Sequence, residues 1–352
     1  MMATIKDIAR LANVSIATVS NVINNTSKVK DTTRARVLQA ISDLGYDTQI
    51  SEKEKRSHMA GILGVIFEDI MVFNAPSIYA GICEAAGKVG FNVLACNLGL
   101  TDASQTGAFD ELDYCEPARR AVNLLLSKDA NAIIYVGSQC REVRHISDGY
   151  DNGTPFVYAY CYSSDANAIS VVYDDEEITY QLITYLIQNG HRDIGVIAGP
   201  QNGEHVRLRL RGYQRALFDA SILYNLNWVF YGDWNEAFGY HSAEQLMKSG
   251  VSAIFCMNDT LAAGAIDYMH DHQINVPEDV SIVGFDNIAS SASLYPKLTT
   301  VALPLHEIGR EAANLAIKTF FTPKAQPENQ NVSIPCSIVY RNSVALRRSN
   351  GS

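Results

Sequence analysis

Carboxylates and amides stand where the chain leaves its most apolar runs. Glu68 and Asp69 follow "LGVIF", Asn258 and Asp259 follow "AIFCM", and Asp286 closes "SIVGFD". Such groups accept and donate several hydrogen bonds, the chemistry needed to hold vicinal hydroxyls. A second signal is "RLRLRG": on a helix Arg207 and Arg211, four apart, share one face, while Arg209 points nearly opposite, toward a cleft. Trp234 in "GDW" offers a flat face for stacking on a sugar, and Tyr173 and His205 are secondary candidates. Arg209, Asp286, Asn258, Trp234 and Glu68 or Asp69 describe a polar cage with one aromatic wall. That composition favours a sugar or sugar derivative over a purine, which needs more aromatic stacking and fewer acids. Two carboxylates in a sugar cleft also describe a glycosidase, if they lie about 5 to 9 Å apart. Asp and Asn have an ordinary use too, capping the helix that follows a strand, and Asp259 and Asn287 are read as such caps.

These residues need strands that end beside them. Apolar runs recur from Gly61 onward: "GILGVIF", "FNVLACNL", "NAIIYVG", "TPFVYAY", "AISVVY", "DIGVIAG", "SAIFCMN" and "VSIVGFD". Stretches of helical period, such as "SIYAGICEAAGKVG" and "ITYQLITYLIQNGH", separate most of them. Buried strands alternating with helices predict α/β architecture with parallel sheets covered on both faces. The length is too great for one sheet and suits two doubly wound lobes, with ligands bound beyond the carboxyl ends of the strands.

The first sixty residues follow a different period. Thr4 and Asp7 start a short helix in which Ile5, Ile8, Ala9 and Ala12 recur at helical spacing. "ANVS" turns the chain, and Ser15 caps a second helix whose Ile16, Val19, Val22 and Ile23 form an inward stripe, with Ala17, Ser20, Asn21 and Asn24 on the other face. A third helix runs from about Thr32, burying Val37, Leu38 and Ile41 and stopping at Gly45. Three short helices with a tight turn between the first two make a helix-turn-helix, whose second helix enters the major groove. Asn21 can pair bidentately with adenine, and Ala17 or Ile16 can touch a thymine methyl. Lys28, Lys30, Arg34 and Arg36 would lie on phosphates, and Thr4, Ser15, Thr18, Ser20 and Asn24 complete the candidate interface.

"TIKDIARLANVSIATVSNVIN" followed by "VKDTTRARVLQAISDLGY" resembles the DNA-binding domain of the LacI/GalR family of ligand-responsive bacterial transcription regulators. The body resembles that family's sensor core, itself similar to periplasmic sugar-binding proteins. "NGHRDIGVIAG", "RLRGYQRAL", "GDWNEAFGYHSAEQLM", "AIFCMNDTLAAGAIDYM", "VPEDVSIVGFDN" and "YPKLTTVALPLHEIG" fall in the family's order. The resemblance implies a regulator, by expectation a repressor, that binds double-stranded operator DNA as a homodimer and is controlled by a sugar-like effector held between two lobes. It gives Arg209 and Trp234 the positions of effector-binding residues and favours ligand contact for Asn258 and Asp286. It also implies a DNA-binding head at 1–47, a linker at 48–60, one lobe at 61–162 and about 291–322, and another at 163–290 and about 323–345. Two departures stand out. Many members carry Arg where this chain has Asn21, so the operator differs. In the linker Thr48 replaces the usual Pro and Lys55 stands near the usual Leu, which removes the apolar minor-groove wedge and predicts a less bent operator. A ligand-binding protein that has lost DNA contact is the remaining alternative.

Charge and composition agree with a two-part chain. The first sixty residues hold nine Lys/Arg against six Asp/Glu, a balance of +3, so the rest of the 352-residue chain carries −13 of the total −10. A basic head on an acidic body lets phosphates attract one end and repels them from the other. No apolar run approaches the roughly 18 residues that span a bilayer, and "MMATIKDIARLA" lacks an export signal, so a cytoplasmic protein without membrane contact is expected. Seven cysteines stand singly, without the paired spacing of a zinc site or disulfide framework, and neither metal nor cofactor is expected. Phosphate-loop, nucleophile-elbow and HExxH motifs are absent from the sequence. The tail "IVYRNSVALRRSNGS" lacks Leu heptads, which favours a dimer over a tetramer.

Overall fold

The computed structural model describes residues 5–23, 29–44, 61–100, 111–147, 153–165, 168–322 and 330–347. They fall into two units, 1–60 and 61–352. In the first, α1 (Ile5–Leu11), α2 (Ile16–Ile23) and α3 (Asp31–Asp43) enclose Ile8, Ala9, Ala12, Val19, Val22, Val37, Ala40 and Ile41. The expected burial of Ile16 and Leu38 does not occur: they are 50% and 52% exposed. Each sits at the edge of its apolar stripe, Ile16 in the first turn of α2, and Ala40 takes the inward place on α3 instead. Gly45 and the 48–60 linker lie outside the described residues.

The second unit is built on two parallel sheets. The first contains β1 (Ile62–Phe67), β2 (Asn92–Asn97), β3 (Ala132–Val136), β4 (Phe156–Ala159), β5 (Ile169–Val172) and β11 (Gln330–Ser333), in the order β11-β5-β4-β3-β1-β2. The second contains β6 (Ile194–Ala198), β7 (Val229–Tyr231), β8 (Ala253–Cys256) and β9 (Ser281–Val283), ordered β7-β6-β8-β9. Every predicted apolar run forms a strand, and all ladders within both sheets are parallel. Short β7, β10 (Thr300–Ala302), β11 and β12 (Ser337–Val339) went unpredicted because, unlike the equally short β4, β5, β8 and β9, they were not recognised within a longer apolar run. Helices α4 (Ala75–Lys88) and α5 (Glu111–Leu126) serve the first sheet, α6 (Asp175–Gln188) packs on α7 (Glu204–Asp219), and α8 (Glu236–Lys248) packs on α9 (Asp259–Asp271). α10 (Leu305–Phe321) lies against α4 and the first sheet.

Two expected boundaries move. The chain was expected to leave the first lobe near 162, but β5 continues that sheet, with Tyr158 level with Ser170, and the departure follows Val172. The 323–345 segment was assigned to the second lobe, yet β11 pairs with β5 in the first sheet before β12 joins β10 in an antiparallel pair. Backbone pairing decides both, because a buried strand takes whichever sheet satisfies its N–H and C=O groups. The passage expected near 290–300 shifts as well: Thr299 lies level with Val283 and Ala302 with Asp286, so the chain still follows the end of β9 there and reaches the first sheet only with α10.

Candidate functional site

A cavity of about 630 Å³ opens between the two sheets. Ser138 and Gln139 follow β3, Tyr160 follows β4, and Val72 and Phe73 precede α4. Opposite them, Asp233, Trp234 and Asn235 follow β7, Asn258 and Thr260 flank the start of α9, Asp286 and Ile288 follow β9, and His205 and Arg209 project from α7. The strand-end expectation thus holds for the place, though not for every residue.

Arg209 is the best-connected group. Only 3% exposed, it donates from Nε to Asp175 Oδ1 at 2.6 Å, from Nη1 to the Met257 carbonyl, and from Nη2 to the Tyr173 hydroxyl at 3.2 Å. Its guanidinium carbon lies 3.6 Å from the centre of the Phe285 ring. Asp175, fully buried, also faces His205 Nδ1 at 3.2 Å. Burial alone would raise the Asp175 carboxyl, but Arg209 and His205 together hold it below its ordinary value. Arg209 is therefore neutralised from beneath before any ligand arrives. Arg209 turns inward, opposite to Arg207 and Arg211 as its helical position predicts, and those two meet Glu204 and Glu176 at the surface.

Asp286 differs. Its nearest ion pair, with Arg209, spans 3.7 Å, and burial pushes its carboxyl up to about 8 despite that cation, with Asp259 and Asp175 adding to the rise. Its backbone sits at φ 102° and that of Asn287 at φ 51°, a strained pair of non-glycine residues. Trp234 lies flat over the end of β6, where a side chain at Gly199 would strike the indole.

The cap assignments reverse. Asn258, read as a ligand contact, caps α9 by accepting from Leu261 N at 2.7 Å while still lining the cavity. Asp259, read as the cap, is buried behind it, accepting from Thr300 Oγ1 at 2.6 Å and Ile288 N at 2.9 Å. Asn287 caps no helix and accepts from Arg341 Nη2 at 2.6 Å. The cap on α9 belongs to the extended residue before the first helical one, so a one-residue shift in the helix start exchanges the two roles.

Glu68, Asp69 and Tyr173 are not among the cavity-lining residues. Glu68 is buried beneath the wall, accepting from Tyr135 Oη, Ser138 N, Ser138 Oγ and Arg141 Nη2 at 2.6 to 2.8 Å. Asp69 accepts from Met71 N at 2.9 Å, and Tyr173 stacks behind Tyr160 with ring centres 5.6 Å apart. Sequence reasoning missed Asp175 because "YDDEE" reads as an acidic helix start, a role that Asp174 fills by accepting from Glu177 N at 2.9 Å. Ser138, Gln139 and Tyr160 carried only one signal, their place just beyond apolar runs.

In the first unit, Ser15 Oγ accepts from Thr18 N at 3.1 Å and so caps α2. Ser15, Ile16, Ala17 and Asn21 are exposed and Thr18 and Ser20 half-buried, which leaves one polar face on α2 opposite Val19 and Val22. Lys30 and Arg36 are exposed and Arg34 half-buried on or beside α3, while Thr4, Asn24 and Lys28 lie outside the described residues. Among the described residues no helix is long and apolar enough to cross a membrane, and no cluster of ligating side chains could hold a metal. All seven cysteines are free thiols.

Residues 4–49 match the family described as bacterial regulatory proteins, lacI family, and residues 183–344 match a periplasmic binding protein-like domain. The HTH-type transcriptional regulator RegA of Clostridium acetobutylicum is 32% identical over 348 residues, covering 97% of this chain and 99% of its own. The HTH-type transcriptional repressor PurR of Vibrio campbellii is 28% identical, covering 97% and 99%. Among solved structures, a transcriptional regulator CelR–cellobiose complex superimposes with a TM-score of 0.65 at 25% identity, over 97% of this chain and 99% of that one.

Proposed function

Since the chain belongs to the lacI family of bacterial regulatory proteins and is a DNA-binding transcription regulator under small-molecule control rather than an enzyme, we propose that its effector is a neutral sugar held between the two sheets. The glycosidase reading is thereby set aside. The observation that carries the proposal is the state of Arg209. Asp175 already balances its charge, so among the described lining residues no cation is left unmatched for a phosphate or carboxylate. Asp286, meanwhile, presents acceptor oxygens with only a distant ion pair, which suits ligand hydroxyls. Trp234 supplies the face on which a pyranose can stack, and Asn258, His205, Ser138 and Gln139 supply further polar contacts. The cellobiose named in the CelR complex is consistent with this ligand class.

Ser15, Ile16, Ala17, Thr18, Ser20 and Asn21 on α2, with Lys30 and Arg34 beside it, form the operator-reading surface of this proposal; Thr4, Asn24 and Lys28 join it on sequence grounds. The protein acts as a cytoplasmic homodimeric repressor, with residues 1–47 as the DNA-binding head and 48–60 as its linker. Effector and operator are then linked ligands, each changing the affinity for the other by the same factor. Calorimetric titration of the full chain with neutral mono- and disaccharides, a sugar phosphate, and hypoxanthine tests the reading. Binding by a neutral sugar that also changes the operator gel shift at fixed salt is expected. Binding by the sugar phosphate or hypoxanthine alone overturns it.

A further inference from the structure

Glu204 opens α7 immediately before the cavity-lining His205, yet its carboxylate bonds to the opposite lobe. Its Oε1 accepts from the Tyr162 hydroxyl at 2.5 Å, and its Oε2 accepts from the Glu142 amide at 3.4 Å. Tyr162 and Glu142 extend the first sheet beyond β4 and β3. They form a parallel bridge in which Tyr162 N donates to Arg141 O at 3.0 Å and Val143 N donates to Tyr162 O at 2.8 Å. On the outer side Arg207 Nη2 approaches Glu204 Oε1 at 3.4 Å, leaving the carboxylate side chain 18% exposed. Burial, and then Glu204 itself, push the Tyr162 phenol above its ordinary value, so it remains a protonated donor at physiological pH.

The placement ties this contact to the cavity. Glu204 adjoins His205, Glu142 lies three residues beyond Gln139, and Tyr162 lies two beyond Tyr160; all three neighbours line the cavity. A separation of the lobes wide enough to admit a ligand must therefore stretch a short, partly shielded, charge-assisted hydrogen bond at the rim. We propose that Glu204 and Tyr162 form a clasp between the lobes that holds the ligand-free core closed, so that the effector acts on an equilibrium this pair has already biased. Both are positioning residues outside the cavity lining. The consequence for regulation rests on the cavity being the effector site; the clasp itself does not.

Hydrogen–deuterium exchange of the full-length, ligand-free protein tests it. Tyr162→Phe and Glu204→Ala should each speed exchange about tenfold at 138–140 and 233–235, amides on both cavity walls that neither change touches. The double variant should exchange no faster than either single one, because each substitution breaks the same bond. Glu204→Gln keeps an acceptor but loses the charge assistance and should fall between, about threefold faster than the unmodified chain. Faster exchange confined to 142 and 162–164, or additive effects in the double variant, overturns the clasp. Tyr162→Phe removes a single oxygen and carries the test if Glu204→Ala folds poorly. A protein that binds no sugar but shows the expected exchange pattern keeps the clasp and loses only the effector assignment.

Discussion

The two walls of the cavity handle buried acids in opposite ways. Under the first-sheet wall, Glu68 receives four hydrogen bonds, three of them from Tyr135 and Ser138 and one from Arg141. Nothing is left over, and the face it supports is neutral: Ser138, Gln139, Tyr160 and Phe73. On the second-sheet wall, Asp175 is matched in the same way by Arg209 and His205, but Asp286 is held 3.7 Å from its cation on strained backbone. A buried acid whose hydrogen bonds are complete fixes a surface, whereas one held short of its partners keeps acceptor capacity for a ligand. Under the proposed effector site, the second wall supplies the open acceptor and the first wall neutral contacts such as Ser138 and Gln139.

The largest effect should come from Arg209→Met, which leaves Asp175 buried beside only His205. A loss of about 3–5 kcal/mol in denaturant unfolding is expected, together with loss of effector response. Little change in stability would mean that Asp175 is not matched by Arg209 in solution, and the contrast between the walls would weaken. Glu68→Gln should cost about 2–3 kcal/mol, through the weakened support of Arg141 and Ser138, while changing effector affinity less than about threefold. Abolished effector binding in a stable Glu68→Gln protein would make the first wall's neutral contacts as important as the second wall's acceptor.

Asp286→Asn should have the opposite sign and, near pH 4, the smallest effect on stability. A carboxyl raised from its ordinary value to about 8 contributes stability that is full below the unfolded value near 4 and is lost as pH rises through about 8. The variant lacks that loss, so its advantage should grow across this window by up to about 1.4 kcal/mol per pH unit, read from thermal melts at several pH values. If ligand hydroxyls donate to the ionised carboxylate, effector affinity of the unmodified chain should rise on the order of tenfold from pH 7 to 8.5, and in Asp286→Asn it should stay flat. A flat profile in the unmodified chain removes Asp286 from the effector contacts.

The stripes of Val19, Val22, Val37 and Ile41, and the apolar runs of eight strands, determined by themselves that a three-helix head precedes an α/β core. Periodicity is a local property, and burial enforces it whatever the partner element. The same logic turned Arg209 inward and placed the cavity at the strand ends. The sequence also places Thr48 and Lys55 where the resembled family usually carries Pro and Leu. Only the tertiary structure decided that β5 and β11 complete the first sheet, that Asn258 rather than Asp259 caps α9, and that Glu68 lies beneath the cavity wall. Only it paired Arg209 with Asp175 and Glu204 with Tyr162. Each of those outcomes is a match between groups distant in the chain, and a buried polar side chain takes its role from the partner that completes its hydrogen bonds, which neighbouring residues do not encode.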